Sequence, residues 1–201
     1  MKKNIFLLVL VGSLAACGPG TKIVNSWRDP TVVVNTAALN KFVVAALLKN
    51  EGVRRKTEDK MAALNPAKAV QSYIAFGPNE LKESDNFYMS KLKNDGYDGI
   101  VILRLVKQEK ETRYVPGSYP TYYGSWRGYY GAAWGGYYDP GYYATDKTYF
   151  VEINVYSVPK DKLIWSGTTS TVNPANGDQM FDEIVDAVER KMKSEGFLVS
   201  K

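Results

Sequence analysis

The amino-acid sequence predicts an α/β domain, an α+β sandwich in outline. Its predicted parts are a parallel three-strand core with two crossover helices, an antiparallel hairpin, a C-terminal helix and a long Tyr/Gly-rich loop insert. Two observations lead to this class. Apolar runs alternate with helical periodicity in the first half of the chain, and period-two alternation marks strands in the second half. A chain of 201 residues is long enough to bury the core of one such domain.

The first strand and the first helix are predicted between residues 41 and 66. Residues 41–49 read "KFVVAALLK", an apolar run between lysines that is typical of a strand covered on both faces. A buried helix segment is the competing interpretation, and the helical pattern that comes next favours the strand. That pattern ends at Pro66, and its apolar positions are Val53, Thr57, Met61 and Leu64.

A second strand, a second helix and a third strand follow in the same order. Residues 69–77 alternate as a strand does, with one face made of Val70, Ser72, Ile74 and Phe76. The helix is predicted over residues 80–96 and ends at Gly96, with an apolar side made of Leu81, Tyr88, Met89 and Leu92. The third strand covers residues 98–106. Two right-handed crossovers then place the first strand in the middle of the parallel core.

The second half of the chain predicts an antiparallel hairpin and a last helix. Polar residues 107–115 predict a ribbon that projects past the sheet. The chain returns as a strand from residue 148, turns at residues 158–161 and forms the second strand of the hairpin over residues 162–172. The last helix ends at Gly196, and its apolar side is made of Phe181, Ile184, Val185, Val188 and Met192. Trp27 and Trp165 lie among alternating residues and are interpreted as packing residues.

The first twenty residues have the layout of an export signal. Lys2 and Lys3 precede an apolar run, and small residues follow it. The segment "LAAC", residues 14–17, resembles the lipobox of bacterial lipoproteins, which implies diacylglycerol on the sulfur of Cys17 and cleavage just before it. The alternative is a plain signal peptide in which this single cysteine is incidental. No acidic residue follows Cys17 closely, which favours the outer membrane and a position facing the periplasm.

The predicted organisation has three parts. A lipoprotein signal peptide covers residues 1–16, a lipidated tether with an N-terminal strand covers residues 17–40, and a single α/β domain covers residues 41–201. The Tyr/Gly-rich insert at residues 114–147 belongs to that domain. The lipid anchor makes the membrane the first expected partner.

Several segments together resemble a family of bacterial envelope lipoproteins that has no agreed activity. They are "VRRKTEDKMAAL", "GYDGIVILRLV", "YVPG", the Tyr/Gly-rich insert, "VEINVYS" and "KLIWSGT", followed by the closing amphipathic helix. The topology is similar to the small α/β modules of the curli-secretion lipoprotein, the penicillin-binding-protein activator lipoproteins and the amino-terminal part of the Tol-system β-propeller protein. Those are binding and assembly modules, so the resemblance implies a role of that kind.

The composition argues against most catalytic chemistry. The chain has no histidine and one cysteine, so we expect no histidine triad, no thiol nucleophile, no catalytic metal and no cofactor. Its charge of +5 becomes milder once Lys2 and Lys3 are removed, which does not indicate a nucleic-acid partner. Asp95 and Asp98 are the pair that a carboxylate-dependent envelope glycan hydrolase would use. Their alternative role is to form the turn between a helix and a strand.

Arg54 and Arg55 belong to "VRRKTED", residues 53–59, which is the densest cluster of charge in the sequence. They lie near the start of the first helix, at the edge of the sheet where α/β folds bind ligands, so they are a candidate anion site. The alternative is a solvated helix face on which Arg54 pairs with Glu58 one turn later.

The Tyr/Gly-rich insert is the candidate binding surface. Eleven of the 15 tyrosines lie between residues 114 and 149. Tyrosine offers contact area and a hydroxyl at little entropic cost, which suits an envelope protein, a glycan or lipid headgroups. The alternatives are a loop whose rings pack on one another and on the sheet, and a purely structural protein. The candidate binding residues are Tyr122, Tyr123, Trp126, Tyr129, Tyr130, Trp134, Tyr137, Tyr138, Tyr142 and Tyr143.

Overall fold

The computed structural model describes residues 20–35, 39–77, 85–116 and 141–199. Within these ranges the strands are β1 (Lys22–Arg28), β2 (Phe42–Leu47), β3 (Ala69–Gln71), β4 (Gly99–Val115), β5 (Tyr142–Ser157) and β6 (Lys162–Val172). The helices are α1 (Glu51–Ala63), α2 (Ser72–Ala75), α3 (Asp85–Asn94) and α4 (Gly177–Ser194).

The described strands form one mixed sheet in the order β1-β6-β5-β4-β2-β3. Strands β3 and β4 both run parallel to β2, whose Val43 lies between Val70 and Ile100. The other three pairings, β4 with β5, β5 with β6 and β6 with β1, are antiparallel. The predicted mixed α/β class is therefore confirmed.

Strand β2 buries apolar residues on both faces of the sheet, which stabilises it as a strand. Val44 packs into a cluster with α1 and α4, while Val43 packs into a second cluster with α2 and α3. Both valines are buried, as expected for a strand with helices on both sides.

Helix α4 covers the antiparallel half of the sheet as its sequence predicts. Its amide at Gln179 donates to the side chain of Asn176, which caps the first turn. Four of the five predicted apolar residues are buried, and Val185 is partly buried against the same cluster. Gly96 and Gly196 both have positive φ after α3 and α4, which is the conformation that closes a helix at low cost only in glycine.

The predicted apolar face of α1 is wrong at Val53 and Leu64 and is confirmed at Met61. Leu64 is 60% exposed and Val53 is also exposed, whereas Glu58, Met61 and Ala62 are buried. The buried face is rotated by roughly a quarter turn from the predicted one. The reason is tertiary, because Met61 and Ala62 face the larger cluster and Glu58 reaches the edge of the sheet.

The predicted second strand is also too long. Strand β3 ends at Gln71, and the one-turn helix α2 follows, so Ile74 is exposed instead of facing the core. Glu58 accepts hydrogen bonds from the hydroxyl of Ser72 at 2.8 Å and from the amide of Tyr73 at 3.4 Å, which holds the start of that helix. Leu81 and the rest of residues 78–84 lie outside the described residues.

The two tryptophans interpreted as packing residues have different environments. Trp165 is 0% exposed, and its indole donates to Glu195 at 2.9 Å. Its ring lies over Gly167, where a Cβ atom would come within 2.3 Å of it, so this position requires glycine. The prediction is wrong for Trp27, which is 50% exposed. Trp27 lies on the edge strand β1, where the described helices leave its face uncovered.

Candidate functional site

Strands β4 and β5 continue beyond the rest of the sheet. The pairing of β4 with β2 ends at Arg104, and the pairing of β5 with β6 reaches only Thr148. Residues 110–115 and 142–147 therefore pair with each other alone among the described strands, and we call this ribbon the arm. Six residues of strand correspond to a length of about 20 Å.

The arm changes the boundaries of the predicted insert. Residues 114–115 and 142–147 belong to strands and not to an irregular loop, so Tyr142 and Tyr143 are strand residues. Val115 pairs with Tyr142, and the described strands of the arm end at this pair, which we call the tip. The remaining candidate binding residues lie outside the described residues: Tyr122, Tyr123, Trp126, Tyr129, Tyr130, Trp134, Tyr137 and Tyr138.

The two faces of the arm differ in charge. One face, which we call the basic face, is made of three directly opposed pairs: Lys110 with Lys147, Thr112 with Thr145, and Tyr114 with Tyr143. The two threonine hydroxyls are 3.1 Å apart, and the two tyrosine ring centroids are 5.3 Å apart. Tyr143 is 75% exposed. The rings thus form an accessible aromatic surface at the tip.

The other side, the acidic face, carries Glu111 directly opposite Asp146. The guanidinium of Arg113 donates to Asp146 at 3.2 Å, and the amide group of Asn173 donates to the same carboxylate at 2.7 Å. These contacts offset the repulsion between the two carboxylates. The arm therefore presents opposite charges on its two faces.

Arg54 and Arg55 are both paired with carboxylates of their own helix. Arg54 Nε lies 2.8 Å from Glu51, and Arg55 Nε lies 2.7 Å from the same carboxylate. Hydrogen bonds from Arg54 and Arg55 lower the pKa of Glu51 to about 2, and the hydrogen bond to Glu51 raises the pKa of Arg54. The anion site stays a prediction, since an added anion would compete with Glu51.

The interpretation of Glu58 as part of a solvated helix face is wrong, whereas its predicted pairing with Arg54 is confirmed. Glu58 is 0% exposed and accepts a hydrogen bond from the amide of Ala46 at 3.0 Å, besides those from Ser72 and Tyr73. The guanidinium of Arg54 lies 3.4 Å away. A buried carboxylate is stable only with such partners. Glu58 thus fills the carboxyl edge of the parallel strands, where many α/β folds bind a ligand.

Asp95 and Asp98 have the contacts of turn residues. Asp95 is exposed and lies 3.6 Å from the ammonium of Lys91 in the preceding helix. Asp98 accepts a hydrogen bond from the amide of Asn40, and its own amide donates to Lys41 at 2.8 Å. These contacts join the loop before β4 to the loop before β2, which favours the turn interpretation. Among the described residues, no three side chains of His, Cys, Asp or Glu lie close enough to hold a metal ion.

A groove of about 830 Å³ lies between α4, the sheet and residues 32–35. We call it the apolar groove, and the sequence did not predict it, because an apolar stripe on a helix indicates packing without indicating a gap. Polar side chains line part of it: Asn65, Asp98, Lys160 and Glu189. Its apolar walls include Val44, Leu103, Ile153, Ile184, Val188 and Phe197.

Comparisons with known proteins reveal only distant similarity. No protein-family model and no curated protein sequence matches the chain. Its structure is similar to a PelC dodecamer from Paraburkholderia phytofirmans, with 10% identity, a TM-score of 0.42, and coverage of 90% of this chain and 99% of that one. It is also similar to lipoprotein GNA1162 from Neisseria meningitidis, with 12% identity, a TM-score of 0.42, and coverage of 77% and 98%. Similarities this distant carry no inference about what this chain binds.

Proposed function

We propose that the chain is a lipid-anchored protein of the bacterial cell envelope that acts as a non-enzymatic binding or assembly module. In this proposal the signal peptide is removed before Cys17, and the lipidated protein lies on the outer membrane and faces the periplasm. The "LAAC" segment and the presence of one cysteine in the chain support the anchor. None of the described helices is long and apolar enough to cross a membrane.

The arm is the observation that carries the binding role. A two-stranded ribbon without further neighbours is at best marginally stable in water. This ribbon nevertheless extends about 20 Å and holds exposed tyrosines at its tip. Exposed aromatic patches on soluble domains commonly mark interaction sites. We infer that the arm presents Tyr114, Tyr142, Tyr143 and the segment between its two strands to an envelope partner.

A turn replacement tests the binding role. Replacing residues 116–141 by Asn-Gly closes the Val115–Tyr142 pair with a two-residue turn and leaves the arm intact. A photoreactive residue at position 143 should crosslink to a partner in living cells, and this crosslink should disappear in the turn variant. The matched control is the same photoreactive residue at Lys160, in the turn at the opposite end of β5. Identical crosslinks from both positions would contradict the proposal.

The anchor is tested separately from the arm. Cells fed labelled palmitate should incorporate the label into the wild-type chain and not into a Cys17→Ser variant. The wild type should sediment with the outer membrane, whereas the variant should be released with the soluble periplasmic fraction. Membrane association of the variant equal to that of the wild type would disprove lipid anchoring through Cys17.

A second candidate function is favoured by the apolar groove. Its volume of about 830 Å³ lies in the range of small-molecule sites, and its lining combines apolar walls with a few polar groups. We propose that it binds a molecule with one long acyl chain and a polar end. The acyl chain would lie along Ile184 and Val188.

A filling substitution tests the groove. Ile184→Trp places a larger side chain in it, so the affinity for a fluorescent fatty acid should fall, and some loss of stability is expected as well because Ile184 is buried. Val24→Trp on the exposed edge strand is the matched control and should leave this affinity unchanged. Circular dichroism of both variants checks that they are folded. Equal affinities of the two variants would assign the fatty acid to another surface.

A further inference from the structure

We infer that the tip of the arm contacts the headgroup layer of the membrane to which the chain is anchored. This inference rests on the proposed lipidation of Cys17 and names the surface that the arm meets first. The residues that carry it all lie on the basic face: Tyr114 and Tyr143 at the tip, with Lys110 and Lys147 behind them.

The strand register places the start of β1 at the root of the arm. Lys22 of β1 pairs with Ser170 of β6, and Ser170 pairs with Phe150 of β5, close to the point where the arm begins. The hydroxyl of Thr21 lies 2.6 Å from that of Thr171 and donates to Glu183 at 3.1 Å. The described chain therefore enters the domain at the same end of the strands from which the arm projects.

The length of the tether limits how far this end of the strands lies from the membrane. Three residues separate Cys17 from Thr21, and the four Cα–Cα steps between them span at most about 14 Å in a fully extended chain. The arm extends about 20 Å from the same end of the strands. It is therefore long enough to reach the level of the lipidated sulfur. The turn between β5 and β6, with Lys160, lies at the opposite end of these strands and thus farther from the membrane.

The side chains at the tip match a bilayer interface. Tyrosine is enriched at the headgroup level because its ring is apolar and its hydroxyl remains hydrated. On the same face, Lys110 lies directly opposite Lys147, and like charges in that position destabilise a ribbon. The phosphates of anionic lipids would offset this repulsion. The acidic face, with Glu111 and Asp146, would then turn away from the membrane.

The single cysteine of the chain makes a direct test available. Lipid occupies the thiol of Cys17, so a Tyr143→Cys variant offers one free thiol for an environment-sensitive fluorophore. The purified lipidated protein is reconstituted into vesicles of phosphatidylethanolamine and phosphatidylglycerol that contain a nitroxide-headgroup lipid. The matched control is Lys160→Cys with the same label. We expect the nitroxide to quench the label at position 143 several-fold more strongly than the label at position 160.

The outcomes separate this inference from the proposed function. Equal quenching at both positions, in protein that floats with the vesicles, overturns the membrane contact and leaves the anchor standing. Failure of the lipidated protein to float overturns both. If a photoreactive residue at position 143 crosslinks to a protein while the label stays unquenched, the arm belongs to a protein partner and the inference is wrong.

The charge of the basic face is tested by a double variant. Lys110→Gln with Lys147→Gln, combined with the label at position 143, should reduce the quenching in vesicles that contain phosphatidylglycerol. The same change should have no effect in neutral phosphatidylcholine vesicles, and salt should weaken the difference between the two lipids. Equal quenching with and without the lysines in both lipids would contradict the role of the basic face.

Discussion

Strands β4 and β5 have two halves that differ in burial and share one pattern of pairing. In the body of the domain, Leu103, Val151 and Ile153 are buried against α4 or its neighbours. In the arm, the same two strands remain in register while Tyr143 is 75% exposed. A backbone hydrogen bond contributes only about 1 kcal/mol net in water. Burial therefore stabilises the body, whereas the arm depends on its side-chain pairs.

The residues of the two halves explain this difference. In the body half, β5 alternates Val and Ile with polar residues and β4 has an apolar run from Ile100 to Leu103, so the face toward α4 is apolar. The arm half has lysine, threonine and tyrosine on its basic face, and its acidic face holds glutamate, aspartate and arginine among smaller apolar residues. Without an apolar face, the arm cannot recruit a covering helix, and we expect it to open before the body unfolds.

The largest expected effect comes from the core of the body. Trp165→Ala removes a fully buried ring that packs near Phe197, with 6.4 Å between the two ring centroids. The free energy of unfolding should fall by about 3–5 kcal/mol. Urea unfolding followed by circular dichroism measures it. Tyr143→Ala in the arm is the comparison variant, and a similar loss from it would disprove the division into body and arm.

The next effect concerns the buried carboxylate of the body. Glu58→Ala leaves the amide of Ala46, the hydroxyl of Ser72 and the guanidinium of Arg54 without this acceptor. The expected loss in the free energy of unfolding is about 3 kcal/mol. Glu51→Ala removes the exposed partner of the same arginine and should cost clearly less, because solvent screens an exposed ion pair. Equal losses in the two variants would show that burial of Glu58 does not matter.

A smaller, pH-dependent effect comes from the end of the body opposite the arm. Hydrogen bonds from Lys162, Thr31 and the amide of Thr31 hold the pKa of Asp29 well below its usual range. A lowered pKa stabilises the fold above the unfolded pKa of about 3.9, and this contribution is lost as the pH falls toward the folded value. The difference in unfolding free energy between wild type and Asp29→Asn should be constant above about pH 5 and should shrink below about pH 4. A constant difference down to pH 2 would contradict this.

In the arm, we expect local effects only. Tyr143→Ala removes the ring that lies 5.3 Å from Tyr114, which should weaken the arm by about 0.2–1 kcal/mol. Hydrogen exchange should then become faster at residues 110–115 and remain unchanged at Val151 and Ile153. Faster exchange in the body would mean that arm and body open together.

The smallest expected effect has the opposite sign. Lys147→Glu places a carboxylate opposite Lys110 and replaces repulsion by attraction. The free energy of opening the arm should rise by a few tenths of a kcal/mol, so its amides should exchange more slowly. High salt should remove the gain. Lys160→Glu, in the turn between β5 and β6, is the control and should leave the exchange of the arm unchanged.

Patterns that act over a few residues could be predicted from the sequence. The double-sided apolar run of β2, the apolar stripe of α4 and the closing glycines Gly96 and Gly196 all appear in the structure as expected. Periodicity and capping are local, so they survive any arrangement of the remaining chain.

The candidate site was predicted less completely. The Tyr/Gly-rich composition indicated a binding surface, and the polar residues 107–115 indicated a ribbon, but the pairing of Val115 with Tyr142 was not foreseen. Pairing between strands depends on a partner that is distant in sequence. The burial of Glu58 was missed for the same reason, since its hydrogen-bond donors Ala46 and Ser72 lie on β2 and at the start of α2.

The sequence by itself determined the α/β class, the order of most elements and the candidate lipid attachment at Cys17. Only the tertiary structure decided which face of α1 is buried, where β3 ends, that Trp27 is exposed, and that β4 and β5 extend beyond the sheet as an arm. The physical reason is the range of the forces involved. Backbone propensity and periodicity act within one or two turns, whereas burial depends on which distant segment covers each face.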